Sequence, residues 1–177
     1  MAVSTKSKKA LTSIGLTVAI AMETTAGTMP TTDYYKLPQV TDLPDLDFDP
    51  DTIETTSYDN LVYKSYLSGL KDTGGIISLP ANYTEYGTTM WDDIADKLAD
   101  TSVNTDGKIA WLVIRIKGTE QTWFIPIQLV KCGIPSAPVN DKVSIDYKFT
   151  VLKDIYVATI TDTNFAGYLA SGDYIIS

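Results

Sequence analysis

The acidic segment between positions 42 and 51 offers the most obvious chemistry in the sequence. Five aspartates alternate there with apolar residues and prolines. Carboxylates spaced two residues apart can converge on a cation, so calcium binding from Asp42 to Asp51 is one hypothesis. The segment lacks the loop glycine and the closing glutamate of an EF-hand, and Pro44 and Pro50 favour extended or turn structure. A solvated acidic turn is the other interpretation, and both stay open.

A second acidic group, Asp92, Asp93 and Asp96, raises the hypothesis of a hydrolase that uses paired carboxylates. Such enzymes need two carboxyl groups at a fixed separation across one bond. Neighbouring positions on one helix project in different directions, which argues against that geometry. We therefore predict a protein that is not an enzyme and has no catalytic residue and no cofactor; the prediction names no metal ligand, with calcium at Asp42 to Asp51 as the alternative.

Missing residue types narrow the chemistry further. The chain contains no histidine, which excludes Ser-His-Asp and Cys-His catalysis and histidine-ligated zinc. Cys132 is the single cysteine, so no disulfide can form within the chain and no multi-cysteine metal site can exist. It follows an apolar run ending at Val130, a position typical of a small strand-end or core residue rather than a reactive thiol.

Composition and charge favour one acidic globular domain. At 177 residues, with 44% hydrophobic and 20% charged residues, the chain suits a single packed domain. Its net charge of −8 argues against a protein that grips nucleic acid, because phosphate binding requires clustered Lys and Arg. The same charge is compatible with a surface past which DNA slides without adhering.

The N-terminal region allows two interpretations. A basic flank and a moderately apolar stretch ending in Ala19-Ile20-Ala21 are similar to a secretory signal with its cleavage site. Polar residues and a glycine interrupt that stretch, and it is too short and too polar to span a bilayer. We therefore predict an N-terminal arm over 1–10, a first strand over 11–22, and contact between the arm and a neighbouring copy through three lysines: Lys6, Lys8 and Lys9.

The remaining pattern is mainly β. The clearest alternation lies between Lys142 and Val151, where one face is apolar and the other polar. Pro80 indicates an edge or a bulge, residues 133–141 form a loop, and residues 164–168 are rich in turn formers. We predict an antiparallel β-sandwich or partial barrel with exposed edges, and strands over 34–40, 52–58, 75–83, 111–117, 122–130, 142–151, 155–160 and 174–176.

One amphipathic helix is predicted over about 89–100. Its apolar stripe has the spacing i, i+3, i+4 and i+7, and Thr89 is the expected N-cap, with Asp92 and Asp93 near the positive end of the helix dipole. The stripe should pack on an open end or edge of the sandwich, and it consists of Trp91, Ile94, Ala95 and Leu98.

The segment 59–74 is predicted to be a long loop. Its apolar residues follow neither strand nor helix spacing, and loops of this length are usually functional or ordered by a partner. The loop either folds back on its own core or contacts another copy. The residues that would make these contacts are Leu61, Val62, Tyr63, Tyr66, Leu67 and Leu70.

The order of these features resembles the major tail tube proteins of long-tailed, siphophage-type bacteriophages. The segment 11–21 looks like their first strand, and 36–46 followed by 50–56 is similar to their strand, proline-rich acidic turn and Thr-rich strand. A long loop, a Gly-initiated strand at 74–79, one helix, a hairpin and a strand like 142–151 complete a likeness that covers roughly residues 11 to 152. The likeness depends on feature order and contains no signature motif.

The resemblance implies a structural subunit that polymerises as stacked hexameric rings into a tail tube through which DNA passes. Each inner sheet would complete a barrel across subunits, and the loop 59–74 would reach a neighbouring ring. The implied partners are the chain itself, a tape measure protein, and tail terminator and tip proteins, in a virion made in the host bacterial cytoplasm. The alternative is a secreted or surface β-sandwich binding module, calcium-dependent through Asp42 to Asp51.

Overall fold

The computed structural model describes residues 15–44, 46, 50–54, 66–71, 75–139 and 141–171, with backbone only for 50–54 and 66–71. Nine strands and two helices lie in these ranges. In chain order they are β1 (Leu16–Met22), β2 (Tyr35–Lys36), β3 (Pro50–Glu54), β4 (Tyr66–Lys71), β5 (Ile76–Asn82), α1 (Glu85–Ala99), β6 (Ala110–Ile116), β7 (Gln121–Val130), β8 (Ser144–Val151), β9 (Tyr156–Thr159) and α2 (Asp162–Tyr168).

Seven strands form one antiparallel sheet with the order β2-β1-β6-β7-β8-β5 and with β9 also paired to β7. The long strand β7 explains the branch. Its C-terminal half pairs with β8 from Ile127 to Val130, and its N-terminal half pairs with β9 from Gln121 to Phe124. β8 and β9 therefore lie end to end along one side of β7. The result is the mainly β antiparallel partial barrel that the sequence predicted, with a second helix, α2, beside the one flanking helix that was expected.

Alternating side chains of the central strands enter two apolar cores. On β1, Val18 and Ile20 belong to the larger core, whereas Ala19 and Ala21 belong to the smaller one. The strand β6 alternates in the same way. Because both faces of these strands are covered, they are buried almost continuously and lack the alternation of β8. The larger core lies under α1, and the smaller one lies under α2 and Tyr34.

The helix α1 begins four residues before the predicted start, so Thr89 is not its N-cap. The cap is Thr84, whose hydroxyl accepts a hydrogen bond from Gly87 N at 3.2 Å. Thr88 and Thr89 lie inside the helix and donate their hydroxyls to carbonyls one turn back. The acidic residue of the first turn is therefore Glu85, and Asp92 lies mid-helix.

The turn predicted over 164–168 is instead part of the second helix, α2. Thr161 caps it by accepting from Asn164 N, and Phe165 anchors it in the smaller core. Arg115 on β6 ties α2 to the sheet, because its buried guanidinium donates to Ile160 O at 2.7 Å and to Asp162 Oδ1 at 2.5 Å. The guanidinium also lies 5.0 Å from the centre of the Phe165 ring.

Most strand predictions hold with shorter bounds. The first strand starts at Leu16 rather than at residue 11, after a turn in which Gly15 has a φ of +97°. The strand predicted over 34–40 shrinks to β2, since Asp33 and Gln39 on either side both have positive φ. Residues 1–14 and the strand predicted over 174–176 lie outside the described residues.

Candidate assembly surfaces

The strands β3 and β4 form a two-stranded sheet of their own, apart from the seven-stranded sheet. Their register runs from Pro50 opposite Lys71 to Glu54 opposite Tyr66, with a bulge after Pro50. Residues 66–71 of the predicted loop 59–74 therefore form a strand, which sequence spacing did not reveal. An isolated two-stranded hairpin is at best marginally stable in water, so this hairpin calls for a surface to pack against.

Some of the residues predicted to contact other subunits lie on β4, and the rest lie outside the described residues. Tyr66, Leu67 and Leu70 lie on β4, where only the backbone is described. The others lie outside the described residues: Leu61, Val62, Tyr63, Lys6, Lys8 and Lys9. Their role as contacts between subunits remains a prediction.

The strand β9 offers an open sheet edge. In the described part of the chain it pairs on one side only, with β7. Tyr156 and Val157 on this strand are 49% and 57% exposed. An edge with free backbone groups and exposed β-formers can pair with a strand of another chain.

A second edge strand, β5, lies beyond β8 on the same side of β7 as β9, and it is partly covered by the chain itself. Val40 forms a bridge to Ala81, and Thr41 N donates to Pro80 O at 3.0 Å. Pro80 therefore lies on an edge strand, as the sequence predicted. Ile76 at the start of β5 lies beyond this cover and is 62% exposed.

One half of the sheet has an open polar face. On β8 the residues Ile145, Tyr147, Phe149 and Val151 enter the core, and the alternate residues face outward. Neighbouring strands extend this face, because Ser78 lies opposite Lys148 and Gln128 lies opposite Thr150. The helix α2 covers the same side of the sheet only over β1, β6 and the first half of β7.

The helix stripe packs on the larger core. Trp91 and Ile94 are fully buried, Ala95 is nearly so, and Leu98 lies partly buried at the margin. Trp91 also donates its indole N–H to Val130 O at 2.9 Å, which fixes α1 on the end of β7.

The three helical aspartates have separate structural partners. Asp92 Oδ1 accepts from Cys132 N at 2.7 Å, Asp93 pairs with Lys97 at 3.1 Å, and Asp96 pairs with Lys131 at 2.6 Å. The three carboxylates thus point to different neighbours, which is the arrangement of a helix surface and not of an acid–base pair.

Cys132 lies two residues past the end of β7, and burial, together with the nearby Asp92 carboxylate, raises the pKa of its thiol to about 12 from 9.0. We expect its alkylation at pH 8 to be at least about a hundredfold slower in the folded protein than in denaturant, because the reactive species is the thiolate. Mass spectrometry of iodoacetamide-treated samples measures both rates. Equal rates would show that the thiol is accessible and ordinary.

The same pKa shift gives a dependence of stability on pH. The folded-state pKa of the Cys132 thiol is raised from 9.0 to about 12, so the folded state holds this proton more tightly than the unfolded state does. The resulting contribution to the free energy of unfolding is complete below pH 9 and is lost as the pH rises towards 12. Replacement by Ser should flatten this part of the curve of melting temperature against pH.

The calcium hypothesis is not tested by the structure. Asp45, Asp47 and Asp49 lie outside the described residues, and Asp42 accepts a hydrogen bond from the neighbouring Leu43 N. Among the residues that are described, no group of three or more acidic or cysteine side chains could hold a metal ion.

Within the described part of the chain, neither helix has the length and apolar character that crossing a bilayer requires.

Comparison with solved structures finds the same fold in tail, baseplate and virion particles. A chain of the anti-feeding prophage baseplate, reconstructed with 6-fold symmetry, gives a TM-score of 0.56 at 12% identity and covers 89% of this chain and 99% of that chain. A chain from the tail of the empty gene transfer agent particle, refined with C6 symmetry, gives 0.54 at 14% identity, covering 85% and 100%.

A third chain, from the virion of the native gene transfer agent particle, gives a TM-score of 0.53 at 13% identity and covers 85% of this chain and 100% of that chain. At these identities the likeness establishes a shared fold. No family model matches the sequence, and no curated protein matches it.

Proposed function

We propose that this chain is a structural subunit of a phage-type tail tube, a major tail tube protein that assembles as stacked hexameric rings. The observation that carries the proposal is the fold. Nearly the whole length of each neighbouring chain superposes on this one, and those chains come from tail, baseplate and virion particles, two of them with six-fold symmetry. The role is non-catalytic, in keeping with a sequence that has no histidine.

The open edges support assembly over a role as a lone molecule. The one-sided pairing of β9 leaves backbone donors and acceptors for a neighbouring subunit, through which the sheets of one ring would join into a continuous barrel. The hairpin β3–β4 and its tip would reach the adjacent ring, as would the N-terminal arm with Lys6, Lys8 and Lys9. These contacts would give the marginal hairpin a surface to pack against.

The open polar face supplies a candidate lumen wall. It carries one acid and one base on β8, Asp146 and Lys148, among uncharged polar groups such as Gln128 and Ser144. A wall of this composition has no cluster of cations to hold DNA phosphates. We assign DNA passage to this face, and we place the protein in the virion, made in the host cytoplasm, with tape measure, terminator and tip proteins as partners.

The test is assembly with and without the hairpin. Replacing residues 50–71 with a flexible Gly/Ser linker should leave the melting temperature of the domain within a few degrees, since β3 and β4 pair only with each other among the described strands. The wild type should form tubes of uniform width in negative-stain micrographs at high concentration, whereas the deletion variant should form none.

Three outcomes would contradict parts of this proposal. A wild type that stays monomeric at all concentrations and salts tested would remove the tube function. A deletion variant that still forms normal tubes would remove the role of the hairpin in stacking. If the deletion variant did not fold, the hairpin would be part of the core of its own domain and not a contact between rings.

A further inference from the structure

On the connection between β7 and β8, two aliphatic side chains are almost fully exposed to solvent. We call residues 133–139 the arch. Ile134 is 97% exposed and Val139 is 89% exposed, more than any other large hydrophobic residue in the described part of the chain. Single exposed aliphatic residues are ordinary, whereas this one short connection carries two of them.

The arch is stiff, so the exposure is built in. Pro135 and Pro138 fix the backbone dihedral φ at two positions. Ser136 pairs with Ser144, the first residue of β8, through two reciprocal backbone hydrogen bonds of 2.9 Å. These restraints present Ile134 and Val139 at low conformational entropy cost, as a preorganised binding segment does.

A matching apolar groove lies on another part of the same chain, between the C-terminal half of α1 and the strand β7. Its volume is about 240 Å³, and an apolar cavity of about 150 Å³ is enough to hold benzene. Leu152 at its margin is 40% exposed, and Lys108 stands on the rim. The residues that give the groove its apolar character are Ala95, Leu98, Ile127, Leu129 and Leu152.

Among the described residues the arch does not fill the groove of its own molecule, because an arch seated there could not be almost fully exposed. Charge favours the same pairing: Asp141 follows the arch and is exposed, and Lys108 at the groove is held by a long, exposed ion pair, 3.8 Å from Asp106, which a carboxylate of another copy can replace. We propose that the arch of one copy inserts Ile134 and Val139 into the α1–β7 groove of the next copy.

This contact joins two different surfaces, so it is heterologous and propagates from copy to copy until a ring closes. The inference rests on the proposed function, because a ring-forming subunit needs such a pair of unlike complementary patches. It adds a named contact, separate from the edge of β9 and from the hairpin β3–β4.

Two variants test the contact from its two sides. The arch variant carries Ile134→Asp and Val139→Asp, and the groove variant carries Leu152→Glu. All three positions are exposed, so both proteins should fold, which thermal melting verifies. We expect the concentration needed for assembly to rise about tenfold for the groove variant and about a hundredfold for the arch variant. Val103→Asp, at a 65% exposed position outside both patches, should change nothing.

Mixing the two variants gives the decisive result. The mixture contains one intact groove, on the arch variant, and one intact arch, on the groove variant. Sedimentation velocity should therefore detect a one-to-one heterodimer at concentrations where each variant alone is monomeric. Folded variants that form no heterodimer would overturn the inference.

The result separates this inference from the proposed function. If the wild type and both variants form tubes at the same concentration, the arch does not dock on a second copy and the tube function stands. If the wild type never associates, both proposals fall. An arch variant that assembles normally would leave the arch as a contact for a different protein and overturn its docking between copies.

Discussion

Gly87→Ala should destabilise the protein by about 2–3 kcal/mol, although alanine is normally the better helix former. Gly87 lies in the first turn of α1, against the hydroxyl end of the buried Tyr147 side chain. A methyl group there would lie 2.8 Å from Thr84 Oγ1 and well inside van der Waals contact with Tyr147 Oη. For a chain of this size the loss corresponds to a fall in melting temperature of roughly 5–10 °C.

The tyrosine cannot move aside to relieve the clash. Its side chain is fully buried, and its ring centre lies 5.0 Å from that of Trp91. Burial raises the pKa of Tyr147, and the nearby Thr84 and Thr88 hydroxyls oppose only part of that effect. Their geometry falls short of a hydrogen bond, so Tyr147 Oη has no partner within the described residues.

A double-mutant cycle isolates this contact. Tyr147→Phe alone should be close to neutral, since it removes a buried hydroxyl that makes no hydrogen bond. In the double variant the alanine methyl occupies the space of the lost oxygen, so most of the stability should return. Gly167→Ala is the matched control: it lies in α2 with nothing within 4 Å of the added methyl, and it should stabilise slightly. If both glycine variants melted alike, the close packing at Gly87 would be refuted.

The same glycine shows why the sequence misplaced the start of α1. Periodicity located the stripe from Trp91 onward because those residues repeat at helical spacing. When the position of Tyr147 is unknown, Gly87 is a residue that disfavours a helix, and Thr89 is the expected N-cap. The glycine leaves room for the hydroxyl of Tyr147, a residue 60 positions away, and no local pattern contains that information.

Strand prediction succeeded where one face is wet and the other is buried. β8 alternates cleanly because its outer face is open, and the β6–β7 hairpin is a local pairing. The branch of the sheet at β7 could not be predicted, since pairing partners follow from tertiary geometry and not from the composition of one strand. Arg115, in an apolar strand, gave no sign that it would be buried against α2.

The candidate surfaces were only partly predictable for a related reason. The sequence identified 133–141 as a loop, but not that Ile134 and Val139 are left uncovered, because a loop residue can equally fold onto its own core. Likewise β4 shows no strand period, so its pairing with β3 came only from the structure. In a loop, unlike in the alternating strand β8, residue spacing does not indicate which side chains the folded surface leaves exposed.

The second large effect should come from Glu23, a carboxylate that is 4% exposed just after β1. Three donors converge on it: Gly27 N at 2.9 Å and Ile109 N at 3.2 Å reach Oε2, and Trp111 Nε1 reaches Oε1 at 3.0 Å. Glu23→Ala would leave all three donors without this acceptor and open a cavity. We expect a loss of about 3–5 kcal/mol in the free energy of unfolding, measured by urea denaturation.

A subtler substitution tests whether the hydrogen bonds, and not the volume, carry this stability. Glu23→Gln keeps the shape, but its amide group must face either the indole N–H of Trp111 or the two backbone N–H groups, so one donor meets another. We expect it to cost about 1–3 kcal/mol, whereas Glu120→Gln, at an exposed glutamate, should change stability by less than about 0.5 kcal/mol.

Trp111→Phe tests the same hydrogen bond from its donor side, because it removes the indole N–H that the amide of the Glu23→Gln variant would face. In the wild-type background this change should destabilise the protein, since it leaves Glu23 Oε1 without its donor and a void beside β6. In the Glu23→Gln background the amide no longer meets the indole N–H, so the double variant should lose clearly less than the sum of the two single changes. Strict additivity would mean that Glu23 contributes through packing alone, and the carboxylate would then lose its role as the acceptor that joins the end of β1 to the start of β6.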